Sequence, residues 1–209
     1  MRNSPRLAET AEERFWLGIH AAERFFMGQA EVQKALEKLV RTLDALGIPY
    51  AIVGAMALNE FGYQRVTVDV DVLLTTEGLT AFKASSLGRG YLERFPGSQS
   101  LRDAEYGVDI DVVLAGSYPG DGKPKPVVFP DPAAAAERGA RVALLPLPRL
   151  LELKLASGMT APDRLKDLAD VQEVIRINHL PSTVASELNP FVREKYLELW
   201  RAVKAQHKD

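Results

Sequence analysis

The chain contains no cysteine, which excludes disulfides, thiol catalysis and zinc–thiolate centres together. Histidine is scarce: His20, His179 and His207 are scattered, too far apart in sequence to suggest a histidine-based metal cluster. No apolar run approaches the roughly 20 residues needed to span a bilayer, so no membrane partner is expected. The opening residues, MRNSPRLAETAEERFW, carry acidic side chains and lack the apolar stretch of a secretory signal. A net charge of −2 gives no global attraction to nucleic acid. These absences together point to a cytoplasmic protein. Its 209 residues are enough for one substantial core, and 46% hydrophobic against 26% charged residues is ordinary for a globular chain.

The informative stretch runs from Tyr50 to Leu74, YAIVGAMALNEFGYQRVTVDVDVLL. It reads as a strand entering Gly54, a short helix over Ala55–Phe61, a loop, and a second strand over Thr67–Leu74. Alternate side chains of a strand share a face, so Asp69 and Asp71 lie together, opposite Val68, Val70 and Val72. Aspartate is a poor strand former, and neighbouring carboxylates repel unless a cation or shared proton relieves them. A second strand, VDIDVVLAG from Val108, repeats the pattern with Asp109 and Asp111. Carboxylates suit a hard divalent cation such as magnesium. Two such ions can both activate a hydroxyl and stabilise a leaving pyrophosphate, the chemistry of phosphoryl and nucleotidyl transfer. Gly54 fits that picture, because a glycine between strand and helix lets backbone N–H groups approach a phosphate.

Elsewhere the periodicity predicts helices over residues 9–28, with Phe15, Trp16, Ile19, Ala22 and Phe26 on one stripe, and over 32–46. Further helices are expected over Glu77–Leu87, Pro148–Ser157, Pro162–Ile177 (Leu165, Leu168, Val171 and Ile175 inward) and from Asn189-Pro190 onward. Weak strands are expected over Tyr91–Phe95 and Ser100–Ala104, and a short one over Arg141–Leu145. The proline- and glycine-rich segment Gly116–Pro132 reads as a functional or covering loop. Its Lys123 and Lys125 are too few to argue a nucleic-acid grip. The fold class is α+β: a small mixed sheet flanked by helices, with a helical segment over 1–47, a core over 48–145 and a helical segment over 146–209.

Gly54-Ala55, an intervening helix, Asp69-x-Asp71 in an apolar strand and a later apolar-Asp-apolar strand resemble the polymerase-beta type nucleotidyltransferase fold. RVTVDVDVLL and the later LLELKLASG…RLKDLADV resemble the AbiE-type and minimal nucleotidyltransferases, some of which are toxins of toxin–antitoxin systems. The resemblance covers roughly Leu46 to Ile177. It implies that Asp69, Asp71 and Asp111 bind magnesium, with manganese as the alternative, and that all three serve catalysis. Asp111 is preferred to Asp109 because VVLAG follows it, as in the family strand. Gly54, Ala55, Arg65 and Lys154 would then contact a nucleoside triphosphate. Ala55 departs from the family pattern, which usually has serine or glycine there, so a phosphate-contacting hydroxyl is missing. The bland alternatives are a solvated loop position for Arg65, a snorkelling side chain for Lys154, and a solvated helical face for Arg164, Lys166 and Asp167.

The expected function is magnesium-dependent transfer of a nucleotidyl group from a nucleoside triphosphate to an acceptor hydroxyl on RNA, protein or a small molecule. The alternatives are a catalytically silent nucleotide-binding module on the same fold and a toxin–antitoxin interaction module, which would have an antitoxin or small helical partner protein.

Overall fold

A computed structural model describes residues 30–139 and 141–206. The helix expected over residues 9–28 lies outside the described residues. Helix α1 occupies residues 30–45, and its stripe of Val32, Ala35, Leu39, Val40 and Leu43 is buried, at the spacing that keeps apolar side chains on one face. Gly47, with φ of +64°, turns the chain out of it and into strand β1 (Ala51–Ile52). Helix α2 (Gly54–Glu60) follows directly, then strand β2 (Asp69–Leu74). Helix α3 (Thr76–Ser86) is capped by Thr75, whose Oγ1 accepts from the Gly78 N–H at 3.0 Å.

Next come strands β3 (Tyr91–Glu93), β4 (Leu101–Asp103) and β5 (Asp109–Leu114). Both weakly patterned strands are therefore present. A one-turn helix α4 (Pro132–Ala135) leads into strands β6 (Glu137–Arg138) and β7 (Ala143–Leu144). The C-terminal part is helical: α5 (Leu147–Thr160), α6 (Leu165–Ile177) and α7 (Pro190–Gln206). Asn189 opens the last of these, its Oδ1 accepting from the Phe191 N–H at 3.0 Å.

The seven strands form one mixed sheet in the order β3-β4-β5-β2-β1-β7-β6. Central strands β2 and β5 run parallel, with Asp71 opposite Asp111 and Asp69 opposite Asp109. Paired residues share a face, so all four carboxylates project to the same side. Val70, Val72, Ile110 and Val112 point the other way and are buried. The alternation in β2 stops at its end, where Leu73 and Leu74 are both buried. The carboxylate face is thus open along the first half of β2 and covered beyond it, which creates a cleft at the boundary.

Helix α5 is buried along Leu150–Gly158 without a break. A helix enclosed all round is central by necessity, and it packs against α6 and α7. Helix α6 departs from its apolar pattern. Leu165, expected inward, is 65% exposed, while Asp167 and Asp170 fall on the buried stripe with Val171, Val174 and Ile175. Among the described residues, no helix is long and apolar enough to cross a membrane.

Candidate active site

A cleft of about 600 Å³ opens beside the carboxylate face, and its walls come from both halves of the chain. Asp69, Asp71 and Asp111 line it, as do Gly54, Ala55, Arg65 and Lys154. The expected site residues are therefore brought together. The segment Gly116–Pro132 supplies another wall through Ser117, Tyr118, Pro119 and Phe129. Lys125 turns back into that segment, bonded to the Pro119 carbonyl and to Asp121 at 2.5 Å each.

Each carboxylate is held differently. The Thr67 hydroxyl donates to Asp69 Oδ1. Ser100 Oγ donates to Asp111 Oδ1 at 2.8 Å, with the Arg94 guanidinium 3.7 Å from the same oxygen. Asp71 is pressed against the backbone of Gly54. A Cβ built on Gly54 would stand 1.8 Å from Asp71 Oδ2, and φ there is +66°. Glycine is required on both counts. Gly54→Ala should cost roughly 1–2 kcal/mol for the left-handed backbone alone and displace the Asp71 carboxylate as well. Urea denaturation reads the first effect; divalent-cation affinity reads the second.

Asp109 shares the face but lies outside the cleft lining. Arg102 Nη1 donates to its Oδ1 at 2.8 Å, and Arg94 stands 3.7 Å from Oδ2. Asp71, by contrast, has its pKa raised to about 6, first by burial and then by the charges of Asp69 and Asp111. Negative charge is thus crowded around Asp71, more than the nearby Lys154 and Arg164 charges offset, and the donors are all carboxylate oxygens. That chemistry fits a hard divalent cation. Among the described residues no three acidic or histidine side chains converge closely enough to hold a metal ion between them as they stand. A cation here would take part of its coordination from water or phosphate oxygens, as magnesium commonly does.

Basic residues line the same cleft. Lys154 does not snorkel: its Nζ is bonded to Asp167 Oδ1 and Asp170 Oδ2, each at 2.8 Å. Arg65 is no solvated loop residue either, since its Nη1 donates to the same Asp170 Oδ2. Ser157 Oγ completes the set, donating to Asp167 Oδ2 at 2.7 Å. Asp167 therefore belongs to the interior and not to a solvated face, whereas Arg164 and Lys166 are exposed at the cleft rim. Burial alone would raise the Asp167 carboxyl. The Lys154 ammonium and the Ser157 hydroxyl outweigh that and hold it below the usual carboxylate range.

No protein-family model matches the chain, and no curated protein does. Solved structures do. The crystal structure of ANT(2″)-Ia in complex with adenylyl-2″-tobramycin aligns with a TM-score of 0.50 at 13% identity, covering 83% of this chain and 97% of that one. This chain has the nucleotidyltransferase fold. A putative nucleotidyltransferase from H. pylori aligns with a TM-score of 0.47 at 15% identity, covering 86% of this chain and 95% of that one. At such identities the likeness is one of architecture. Within the nucleotidyltransferase fold of this chain, sequence reasoning missed Asp170 and misplaced Asp167. The signal was there: both fall at helical spacing with Val171, Val174 and Ile175 in α6, where an unpartnered carboxylate would not be tolerated.

Proposed function

We propose that the protein transfers a nucleotidyl group from a nucleoside triphosphate to an acceptor hydroxyl, with a divalent cation held by Asp69, Asp71 and Asp111. The observation that carries this reading is the in-register pairing of Asp71 with Asp111 on parallel strands, facing one cleft beside Gly54. When bound, magnesium supplies neutralisation of phosphate charge and lowers the pKa of the acceptor hydroxyl. The chain's own residues do the rest. Gly54 and Ala55 offer backbone N–H donors to the phosphates. At seven residues α2 is short, so these amides act more through direct contact than through a helix dipole. Arg65 and Lys154, in the lining of the same cleft, face the triphosphate.

The acceptor oxygen attacks the α-phosphorus, the bond from that phosphorus to the bridging oxygen breaks, and pyrophosphate leaves. Ser100 occupies Oδ1 of Asp111, so Oδ2 is the atom that takes the acceptor proton. A small-molecule hydroxyl is the first acceptor to try, because the ANT(2″)-Ia structure holds an adenylylated aminoglycoside. RNA and protein hydroxyls follow.

The test is pyrophosphate release from each of the four nucleoside triphosphates with magnesium or manganese, over a panel of these acceptors, beside calorimetry of triphosphate binding. Binding with cation-dependent release is expected. Ala55, which lacks a hydroxyl for phosphate, favours a second reading in which the cleft binds nucleotide without turnover. Binding without release across the panel would select it. Absence of binding would overturn both. An antitoxin or other helical partner is tested by co-purification with products of neighbouring genes.

A further inference from the structure

Two cations and two carboxylates form a continuous chain beside the cleft: Arg65, Asp170, Lys154 and Asp167. They come from the loop before β2, from α5 and from α6. Asp170 is 3% exposed and outside the cleft lining, yet one of its oxygens, Oδ2, meets both Arg65 Nη1 and Lys154 Nζ. The set is electrically balanced, which is the condition under which buried charges are tolerated. It also leaves donors free. An ammonium has three N–H groups, and Lys154 commits two of them to Asp167 and Asp170. Arg65 has five and is anchored additionally through its backbone, whose N–H donates to Asn59 Oδ1 at 2.8 Å.

The same cleft holds the carboxylates of Asp69, Asp71 and Asp111. A lysine and an arginine without partners of their own would be drawn onto them. They would then occupy the oxygens a divalent cation needs and be unavailable to phosphate. Asp170 prevents this by giving both cations a nearer partner.

We infer that Asp170 is a positioning residue: through one carboxylate oxygen it holds Arg65 and Lys154 side by side in the cleft lining, off the acidic strands, so that both face the triphosphate. This rests on the nucleotidyl-transfer reading above for the identity of the ligand, but not for the placement of the two cations. It also assigns Lys154 a different state from a free phosphate-binding lysine. Its charge is pre-paired, and only its third N–H reaches the substrate.

The test uses the full chain with Asp170→Asn, which keeps the shape and removes the charge. Calorimetry with a nucleoside triphosphate and magnesium should show at least a tenfold weaker Kd. Asp170→Glu should recover part of that affinity. Glu152→Gln is the control for a merely structural role. Glu152 is equally buried, at 4% exposed, but tethers the start of α7 through the Asn189 N–H and is outside the cleft. Both variants should lower Tm, and Asp170→Asn alone should weaken the triphosphate. Equal binding by Asp170→Asn and wild type would overturn the inference. A crystal structure of Asp170→Asn decides the point without any ligand: Lys154 or Arg65 displaced towards Asp69 and Asp71 supports it, and both cations left in place overturns it. Wild-type protein that binds no triphosphate would count against the transferase reading instead.

Discussion

Asp71→Asn should cripple cation-dependent nucleotide incorporation and, in the same protein, raise the melting temperature at pH 7.5. The two effects share a cause. In the folded chain the Asp71 carboxyl titrates near 6, because burial and the charges of Asp69 and Asp111 oppose its ionisation. In the unfolded chain it titrates near the ordinary aspartate value, about 3.9. A group whose pKa is raised by folding contributes stability below its unfolded pKa, and that contribution is lost as pH rises through the folded value. The wild type should therefore lose stability between about pH 4 and pH 6 on account of this residue. The asparagine variant, which mimics the protonated acid, should not. Their melting temperatures should nearly coincide at pH 4 and diverge to a plateau above pH 6–7, where each kcal/mol is worth roughly 2–4 °C for a chain of this size. Magnesium should narrow the gap by stabilising the wild type, since a ligand that binds only the folded state raises its stability. The activity loss should be about three orders of magnitude, the scale on which a single preorganised electrostatic contact acts. Incorporation undiminished in both Asp69→Asn and Asp71→Asn would end the mechanism. A melting temperature for Asp71→Asn that tracked the wild type at every pH would show that the crowding of charge is relieved some other way.

The acidic strands were legible in the sequence because alternation is a local property. Asp69-x-Asp71 and Asp109-x-Asp111 each declare a face without reference to anything distant. Register is not local. That Asp71 stands opposite Asp111, and that Arg102 and Arg94 attend Asp109, depends on how β5 slides along β2 and on the hairpin of β3 and β4. Strand β6 was illegible for a different reason. Glu137 and Arg138 are both exposed, and only pairing with β7 makes them a strand. In α6 the apolar stripe was assigned by hydrophobicity, which placed Leu165 inward and Asp167 outward. Charge pairing reversed both, because Lys154 sits in a helix buried on all sides and its ammonium must find carboxylates within reach. A lysine amid leucines in one helix and aspartates at core spacing in the next are two halves of one signal.

That pairing sets the second large effect. Lys154→Met should destabilise the fold by about 3–5 kcal/mol, the usual cost of removing one member of a buried ion pair. Among the described residues it leaves Asp167 and Asp170 with a single directly bonded cation between them, Arg65, which reaches only Asp170. Ser157 still donates to Asp167, but a hydroxyl does not neutralise a buried charge. The deficit is electrostatic, not steric, since methionine fills much of the space of the lysine stem. Adding Asp167→Asn should therefore restore most of the lost stability. Lys154 and Asp167 are then removed as a pair, and the Arg65–Asp170 pair remains. The coupling between the two substitutions, measured by a urea double-mutant cycle, should be well above the few tenths of a kcal/mol seen for independent sites. Triphosphate affinity should not return with it, because the third N–H of Lys154 is gone. A double variant as unstable as Lys154→Met alone would mean that the methionine, not the orphaned carboxylate, disrupts the helix packing. A double variant that regained both stability and triphosphate binding would remove Lys154 from the substrate wall and leave that role to Arg65, Arg164 and Lys166.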